Sequence, residues 1–204
     1  MLYSELQCSE AIHKAVERMG FAEMTEIQEK TIPVMLAGHD VIAKAPTGTG
    51  KTCAFGIPVA EHIQPENKYP QAVIMAPTRE LAQQIAEELS NLTYFMPEVQ
   101  VACVYGGANM EKQAKRLAEG CQIVVATPGR LMDHYKHHSI DISHVTQIVL
   151  DEADEMLNMG FYKDVRHIIE MMKARKALSM FSATISREVM DRSEERRVGK
   201  ECRS

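Results

Sequence analysis

Long apolar runs are missing from the sequence, and this absence limits the classes of protein that it can encode. No run among the 204 residues approaches the roughly 18 apolar residues that a membrane-spanning helix needs. The opening Met-Leu-Tyr-Ser-Glu also lacks the basic and apolar segments of a secretory signal. We therefore expect a protein of the cytoplasm with no membrane partner.

Paired cysteines and an excess of positive charge are missing too. The five cysteines are scattered, with no Cys-x-x-Cys spacing, so they indicate reduced thiols and no metal site. The chain has 23 basic and 28 acidic residues, a net charge of −5. This balance argues against binding nucleic acid by bulk electrostatics. It leaves room for a local site built from backbone amides, hydroxyls and a few arginines.

Short apolar runs rich in β-branched residues recur along the chain and alternate with segments of helical period. Runs this short and continuous are typical of strands that are buried on both faces. Their alternation with helices predicts an α/β fold with a mostly parallel sheet and helices on both faces. The strand order cannot be read from the sequence. The predicted strands are residues 40–43, 72–75, 99–104, 122–126, 147–150 and 178–181.

The two ends of the chain differ in character. Residues 9–19 predict an amphipathic helix with Ser9 as its N-cap and Gly20 as its end, and residues 27–36 predict a second helix. Residues 192–204 carry eight charged side chains and one aliphatic one, so we expect a solvated or disordered tail, or foreign sequence. We interpret residues 1–191 as one domain that is cut short at its C-terminal end.

The strongest motif is Ala-Pro-Thr-Gly-Thr-Gly-Lys-Thr at residues 45–52, between a predicted strand and a predicted helix. This context is the one that a phosphate-binding loop requires. Its glycines let backbone N–H groups face phosphate oxygens, and the helix dipole favours the same anions. The alternative is a solvated turn with a surface lysine. The predicted nucleotide-binding residues here are Thr47, Gly48, Thr49, Gly50, Lys51 and Thr52.

A second motif, Asp-Glu-Ala-Asp at residues 151–154, follows the apolar strand 147–150. In a P-loop enzyme, Lys51 would bridge the β- and γ-phosphates, while the Thr52 hydroxyl and the Asp151 carboxylate would bind Mg²⁺. Glu152 would orient or deprotonate the attacking water. The alternative is that these acids only begin the next helix, where the dipole favours negative charge.

Together these motifs resemble the DEAD-box RNA helicases, in particular the bacterial ones. The resemblance covers about residues 1–191 and implies a RecA-like P-loop NTPase domain. It implies that Gln28 reads the adenine of ATP and that Tyr3 stacks near it. It also implies that Ser182 and Thr184, in a Ser-Ala-Thr motif, couple to Asp154 and link ATP hydrolysis to unwinding. Met24 and Glu26 stand where this family often has prolines.

The resemblance assigns three further loops to RNA. Each also has a plainer interpretation as a strand-to-helix turn, with threonine as N-cap and proline at the first helical position. Contacts from such loops suit phosphates and 2′-hydroxyls, so little sequence specificity is expected. The residues concerned are Pro77, Thr78, Arg79, Gly106, Gly107, Thr127, Pro128, Gly129 and Arg130.

Three functions therefore compete. The first is an ATP-dependent RNA helicase represented by its N-terminal half, with the second RecA-like domain and its arginine missing. The second is a module that binds ATP and RNA without hydrolysing ATP. The third is a DNA helicase or translocase of the same superfamily.

Overall fold

A computed structural model describes residues 1–184, and within them all six predicted runs form strands of one parallel sheet. The order across the sheet is β1-β6-β5-β2-β4-β3, and every neighbouring pair is parallel. The proposed domain end at residue 191 and the charged tail lie outside the described residues. The strands are β1 (Val41–Lys44), β2 (Ala72–Met75), β3 (Val101–Val104), β4 (Ile123–Ala126), β5 (Gln147–Leu150) and β6 (Ala177–Ser182).

The helices begin and end close to where the sequence places them. Ser9 caps the first helix by accepting a hydrogen bond from the Ile12 N–H, and Gly20 follows with a φ of 79°. Besides a 3₁₀ turn at Tyr3–Glu5, the helices are α1 (Glu10–Arg18), α2 (Glu26–Leu36), α3 (Lys51–Glu61), α4 (Arg79–Leu92), α5 (Met110–Ala118), α6 (Pro128–Lys136), α7 (Ala153–Asn158) and α8 (Tyr162–Met171).

Helices cover both faces of the sheet, as the continuous apolar runs predict. Successive side chains of a strand point to opposite faces, so Ile74 and Met75, both fully buried, belong to two separate apolar clusters. Helices α1 to α4 pack on one cluster, which includes the ring pair of Phe55 and Phe181. Helices α5 to α8 pack on the other.

The strand order separates two groups of loops. Strands β1, β6 and β5 are neighbours, so the loops after them, which hold the phosphate-binding motif and the Asp-Glu-Ala-Asp motif, meet at one half of the carboxyl edge. Strands β2, β4 and β3 form the other half, and the three loops that resemble RNA contacts follow them. Ligands of open parallel sheets bind at this edge.

Substitution of alanine for two helical glycines should change the free energy of unfolding in opposite directions. A Cβ on Gly56 of α3 would lie 2.7 Å from a methyl group of the fully buried Leu92 of α4, whereas a Cβ on Gly129 of α6 would meet no atom within 4 Å. We expect Gly56→Ala to lower the free energy of unfolding by about 1–3 kcal/mol through overpacking. Gly129→Ala should raise it by about 0.5–1 kcal/mol, because alanine favours a helix. Urea unfolding of both variants checks this, and equal changes of the same sign would contradict the close contact of α3 with α4.

Candidate nucleotide and nucleic-acid site

The loop between β1 and α3 has the backbone of a phosphate cradle. Gly48 and Gly50 adopt left-handed φ values of 82° and 81°. Gly50 is also the N-cap of α3, and a Cβ there would lie 2.4 Å from the Gln28 side chain. Thr49 Oγ1 donates a hydrogen bond to the Pro46 carbonyl across 2.8 Å, which closes the turn. The loop therefore places the N terminus of α3, with Thr52 in its first turn, at the carboxyl edge of the sheet.

Ala45 stands where the phosphate-loop pattern has its first glycine, and the structure explains why alanine is tolerated. Its φ is negative, because among residues 1–184 only His138 and Glu152 are non-glycine residues with positive φ. Its N–H donates to the Ser182 carbonyl across 2.9 Å, which extends the pairing of β1 with β6. No backbone conformation reserved for glycine is needed at this position.

Lys51 and Asp151 form a buried ion pair at the centre of the site. Lys51 is 7% exposed and Asp151 is 2% exposed. The Lys51 Nζ lies 3.3 Å from Asp151 Oδ1, but it is not aligned for a hydrogen bond with any group in the described chain. Burial raises the pKa of the Asp151 carboxyl, and the attraction of Lys51 opposes that rise. An ammonium group that is held out of water with unused donors is suited to take an anion.

Glu152 faces this pair from the end of β5. Its backbone is left-handed, with φ 50° and ψ 52°, and its N–H donates to Asp151 Oδ1 across 3.0 Å. Its carboxylate Oε1 lies 3.5 Å from Thr47 Oγ1 of the phosphate loop. Strained non-glycine backbone of this kind is concentrated at functional sites. The strained backbone holds the Glu152 carboxylate beside the glycine-rich loop.

The structure brings Asp154 together with the Ser-Ala-Thr motif, as the resemblance implies. Asp154 Oδ2 accepts hydrogen bonds from the Thr184 N–H at 3.0 Å and the Thr184 hydroxyl at 2.7 Å. Ser182 Oγ accepts from the Asp154 N–H at 3.2 Å and donates to the Thr184 carbonyl at 2.7 Å. Partial burial raises the pKa of Asp154, but the hydrogen bonds from Thr184 outweigh it and the net pKa is lowered.

Gln28 is tied to the phosphate loop. It is 4% exposed, and its Oε1 accepts hydrogen bonds from the Tyr3 hydroxyl at 2.6 Å and the Thr25 N–H at 2.9 Å. Its Nε2 donates to the Gly50 carbonyl at 3.0 Å, and the Thr25 hydroxyl donates to the Thr49 carbonyl at 2.9 Å. The two side chains therefore join the start of α2 to the phosphate loop at two points.

A cavity of about 350 Å³ opens beside this junction, between the start of α2 and the phosphate loop. Thr25, Glu26 and Lys30 line one wall, and Lys44, Ala45, Pro46 and Thr49 line the other. Sites for small molecules are commonly of this size or larger, from about 300 Å³ upward. Gln28 does not line this cavity, and its amide is bonded to protein groups, so the recognition of adenine by Gln28 stays a prediction.

Tyr3, which bonds to Gln28, shares a ring contact with Phe21, with centroids 6.4 Å apart and near-parallel planes. The Tyr3 ring is buried, with 4% of the residue exposed, whereas Phe21 is 43% exposed. The buried Tyr3 therefore holds the Gln28 side chain through its hydroxyl, whereas the Phe21 ring is exposed at the surface. The sequence motifs do not single out Phe21, because exposure of an aromatic ring depends on how distant segments pack.

The loop after β2 begins the second group. Pro77 is buried, Thr78 Oγ1 caps α4 by accepting a hydrogen bond from the Leu81 N–H at 3.2 Å, and Arg79 is exposed. The Arg79 guanidinium lies 5.1 Å from the ring centroid of Tyr105, the residue before Gly106. The capping interpretation is therefore correct for Thr78, but it leaves Arg79 free to contact a ligand.

The loop after β4 behaves differently. The Thr127 side chain makes no capping hydrogen bond, while its N–H donates to the Val104 carbonyl at 3.1 Å and so pairs with β3. Pro128 is the first residue of α6, as the turn interpretation predicts. Capping therefore does not account for the Thr127 hydroxyl, and the predicted contact with RNA remains available to it.

Arg130 lies mostly inside the protein, with 12% of its side chain exposed. Its Nη1 donates to the Ala108 carbonyl and to Gln113 Oε1, both at 2.9 Å. Gly106 and Gly107 are exposed next to it, with Gly107 at a φ of 81°. The three loops are thus adjacent at one edge, and Gln113 and Tyr105 join them in contacts that the sequence motifs do not reveal.

Two further sequence expectations concern metal sites and membranes. Within residues 1–184, no three histidine, cysteine or acidic side chains cluster as metal ligands, and Cys8, Cys53, Cys103 and Cys121 form no disulfides. No helix of that part of the chain is long and apolar enough to cross a membrane.

A six-stranded parallel sheet with a glycine-rich loop and a buried lysine and aspartate at its carboxyl edge defines a RecA-like P-loop domain. The sequence profile of the DEAD/DEAH box helicases matches residues 25–192. The chain belongs to this family. It is 49% identical over 189 residues to an ATP-dependent RNA helicase CshA from Limosilactobacillus reuteri, covering 93% of this chain and 38% of that one.

Two further relatives belong to the same family. An ATP-dependent RNA helicase CshA from Listeria monocytogenes is 50% identical over 183 residues, which cover 90% of this chain and 35% of that protein. The solved structure of a DEAD box protein from Methanococcus jannaschii superposes with a TM-score of 0.88 at 40% identity, covering 95% of this chain and 53% of that chain. The chain thus spans well under half the length of the curated relatives, and it matches their N-terminal part.

The lowered pKa of Asp154 leads to a pH-dependent stability difference. A carboxyl whose pKa is lower in the folded state than in the unfolded state stabilises the fold above the unfolded value, near 4, and this contribution is lost as pH falls through the folded value. We expect Asp154→Asn to be less stable than the wild type at pH 7 and the gap to narrow below about pH 4. Urea unfolding at pH 7, 5 and 3.5 measures it, with the exposed Glu17→Gln as the charge-matched control. A gap that is independent of pH would show that the carboxylate charge is not responsible.

Proposed function

We propose that this chain is the ATP-binding domain of an ATP-dependent RNA helicase of the DEAD-box type, acting in the cytoplasm. The observation that carries the proposal is the Lys51 ammonium, which is buried against Asp151 with unused hydrogen-bond donors. Burying a charge without full hydrogen bonding is costly, so such a group indicates a ligand that completes it. The adjoining glycine loop and helix N terminus favour a phosphate chain.

The residues of this site fit a nucleotide with Mg²⁺. Thr52 and Asp151 would hold the ion, which neutralises charge on the phosphate oxygens when it is bound. Two protein ligands are sufficient, because Mg²⁺ usually keeps several waters and adds substrate phosphates, so the lack of a three-ligand cluster in residues 1–184 is compatible with it. Lys51 would hold the β- and γ-phosphates, with the amides of residues 47–50 around them.

Glu152 would orient the attacking water and accept its proton. Its carboxylate reaches across to Thr47 of the phosphate loop, so a water that it orients would lie on the side of that loop. Asp154, Ser182 and Thr184 would couple the acidic motif to the end of β6, because a shift of that motif changes the three hydrogen bonds between them.

The base would enter at the cavity between the start of α2 and the phosphate loop. The Gln28 amide offers both a donor and an acceptor to adenine once the base displaces the protein groups bonded to it. A base that takes up the Gln28 amide group would release the Gly50 carbonyl, so binding of the base would change the phosphate loop directly. Tyr3 would hold Gln28 in place, and Phe21 would offer its exposed face for stacking.

RNA would bind along the β2, β4 and β3 half of the edge, through Pro77–Arg79, the Gly106-Gly107 pair and residues 127–130. Glycine-exposed amides, hydroxyls and helix N termini suit phosphates and 2′-hydroxyls, which gives little sequence specificity. A DNA translocase would use the same phosphate contacts. Titration of matched RNA and DNA single strands distinguishes the two, because only RNA carries the 2′-hydroxyl.

Two variants test the nucleotide site. Lys51→Ala should weaken ATP binding by about tenfold or more, because Lys51 contacts the phosphates in the ground state. Glu152→Gln should bind ATP within about twofold of the wild type, because Glu152 acts on water during the reaction. Isothermal titration calorimetry with ATP and with GTP measures both affinities. Equal losses in the two variants would contradict this division of roles, and equal affinity for GTP would contradict adenine recognition.

The 204 residues assayed alone should show almost no RNA-stimulated ATP hydrolysis and no unwinding. They match only the first 38% or so of the relatives, and the arginine that completes phosphoryl transfer in this family lies in a second domain. Such an arginine contributes about 10³–10⁵ in rate. Phosphate release is measured with saturating ATP, Mg²⁺ and RNA, before and after a second RecA-like domain from a related enzyme is added. Robust turnover by the chain alone would contradict this argument, and rescue would rule out a module that never hydrolyses ATP.

A further inference from the structure

Tyr105 and Gln113 connect the three loops that are proposed to contact RNA, and neither belongs to the motifs that define those loops. Tyr105 faces α4. Its hydroxyl accepts a hydrogen bond from Gln83 Nε2 at 2.9 Å, and the Arg79 guanidinium lies 5.1 Å from its ring centroid. The first loop is therefore joined to the residue that precedes Gly106.

Gln113 of α5 joins that same segment to the third loop. It is 9% exposed, and its Nε2 donates to the Tyr105 carbonyl at 3.1 Å. Its Oε1 accepts from Arg130 Nη1 at 2.9 Å and lies 3.1 Å from His134 Nε2. Arg130 Nη1 also donates to the Ala108 carbonyl, so the glycine pair is bracketed by contacts on both sides.

The partners of Gln113 fix its orientation without ambiguity. A guanidinium can only donate and a backbone carbonyl can only accept, so the oxygen must face Arg130 and the nitrogen must face Tyr105. Because that oxygen is an acceptor, the neutral His134 ring must carry its hydrogen on Nε2. His134 Nδ1 is then a buried lone pair without a partner in the described chain. Burial and the nearby Arg130 lower the pKa of His134, which agrees with a neutral ring.

We propose that Gln113 is a positioning residue for RNA binding, which fixes the direction of Arg130 relative to the Tyr105–Ala108 segment. The inference rests on the proposed function. A glutamine in this position satisfies three groups at once, whereas an apolar side chain of similar size would leave the Arg130 Nη1, the His134 Nε2–H and the Tyr105 carbonyl with fewer partners. Without Gln113, Arg130 Nη1 keeps only the Ala108 carbonyl. The exposed Asp133 carboxylate lies 3.9 Å from Arg130 Nε, beyond hydrogen-bond distance, so it does not fix the direction of the guanidinium.

The salt dependence of RNA binding separates positioning from a purely structural role. Each cation that contacts a phosphate of single-stranded nucleic acid contributes about 0.7 to the slope of log K against log salt concentration. Arg130→Ala should therefore lower the slope by about 0.7. Gln113→Leu should lower it by the same amount, although glutamine carries no charge. The double variant should bind as the single variants do, because the two residues act as one unit.

The measurement is fluorescence anisotropy of a labelled oligouridylate with the whole chain, in a series of salt concentrations. Gln100→Leu is the matched control: it removes a glutamine that accepts from Arg116 Nη2 at 3.3 Å, at the opposite end of β3. It should leave the slope unchanged. Gln113→Met also removes the amide at similar length and adds no charge, so it should lower the slope in the same way, and it serves if Gln113→Leu does not fold. An unchanged slope in Gln113→Leu, or additive losses in the double variant, would overturn the proposal.

A second readout needs no RNA. Nitrogen-15 NMR of the histidine rings should show His134 with its hydrogen on Nε2 in the wild type, and this signal should change in Gln113→Leu but not in Gln100→Leu. A hydrogen on Nδ1 in the wild type would overturn the bridge by itself. A wild-type chain that binds no RNA would refute the proposed function, while the NMR result would still decide whether Gln113 holds Arg130 and His134 as described.

Discussion

The order of the six parallel strands is the constraint on which every proposed role depends. Because β6 lies between β1 and β5, the end of β6 is within reach of both the phosphate loop and the acidic motif. Ala45 pairs with Ser182 on one side, and Asp154 contacts Ser182 and Thr184 on the other. A different order would leave the same motifs in the chain but separate their side chains. The hydrophobic burial that fixes the sheet therefore also sets the chemistry at its edge.

Much of this fold could be predicted because its signals are local. Strands buried on both faces need continuous apolar side chains, and this need places β2 and β5 at residues 72–75 and 147–150, as predicted. The helix cap at Ser9 is equally local. Strand order is different, since it depends on how distant segments pack, and four-residue strands of similar composition give no local clue to their neighbours. The one clue in the sequence came from the phosphate-loop and Asp-Glu-Ala-Asp motifs: because both must contact the same ligand, the strands that precede them must end close together.

The candidate site shows the same division. Lys51, Asp151 and Glu152 could be assigned roles from sequence because phosphate and metal chemistry restricts which side chains serve. Gln28 and Arg130 were assigned to ligands alone, yet the structure also bonds them to the protein, through Gly50 and through Ala108 and Gln113. Those partners lie 17 to 22 residues away in the chain. Glutamine and arginine carry several donors, so they can serve a ligand and a neighbouring loop together, and a motif alone shows only the first.

The left-handed backbone at Glu152 has a consequence for how such a domain evolves. Left-handed backbone costs a residue with a Cβ about 1–2 kcal/mol, and glycine would relieve that strain. If Glu152 acts on water as proposed, selection for turnover keeps the acid against this local conformational preference. In a lineage that keeps nucleotide binding but no longer needs hydrolysis, we expect a substitution that raises stability to appear at this position first. The residue found there in a descendant would record whether turnover was still under selection.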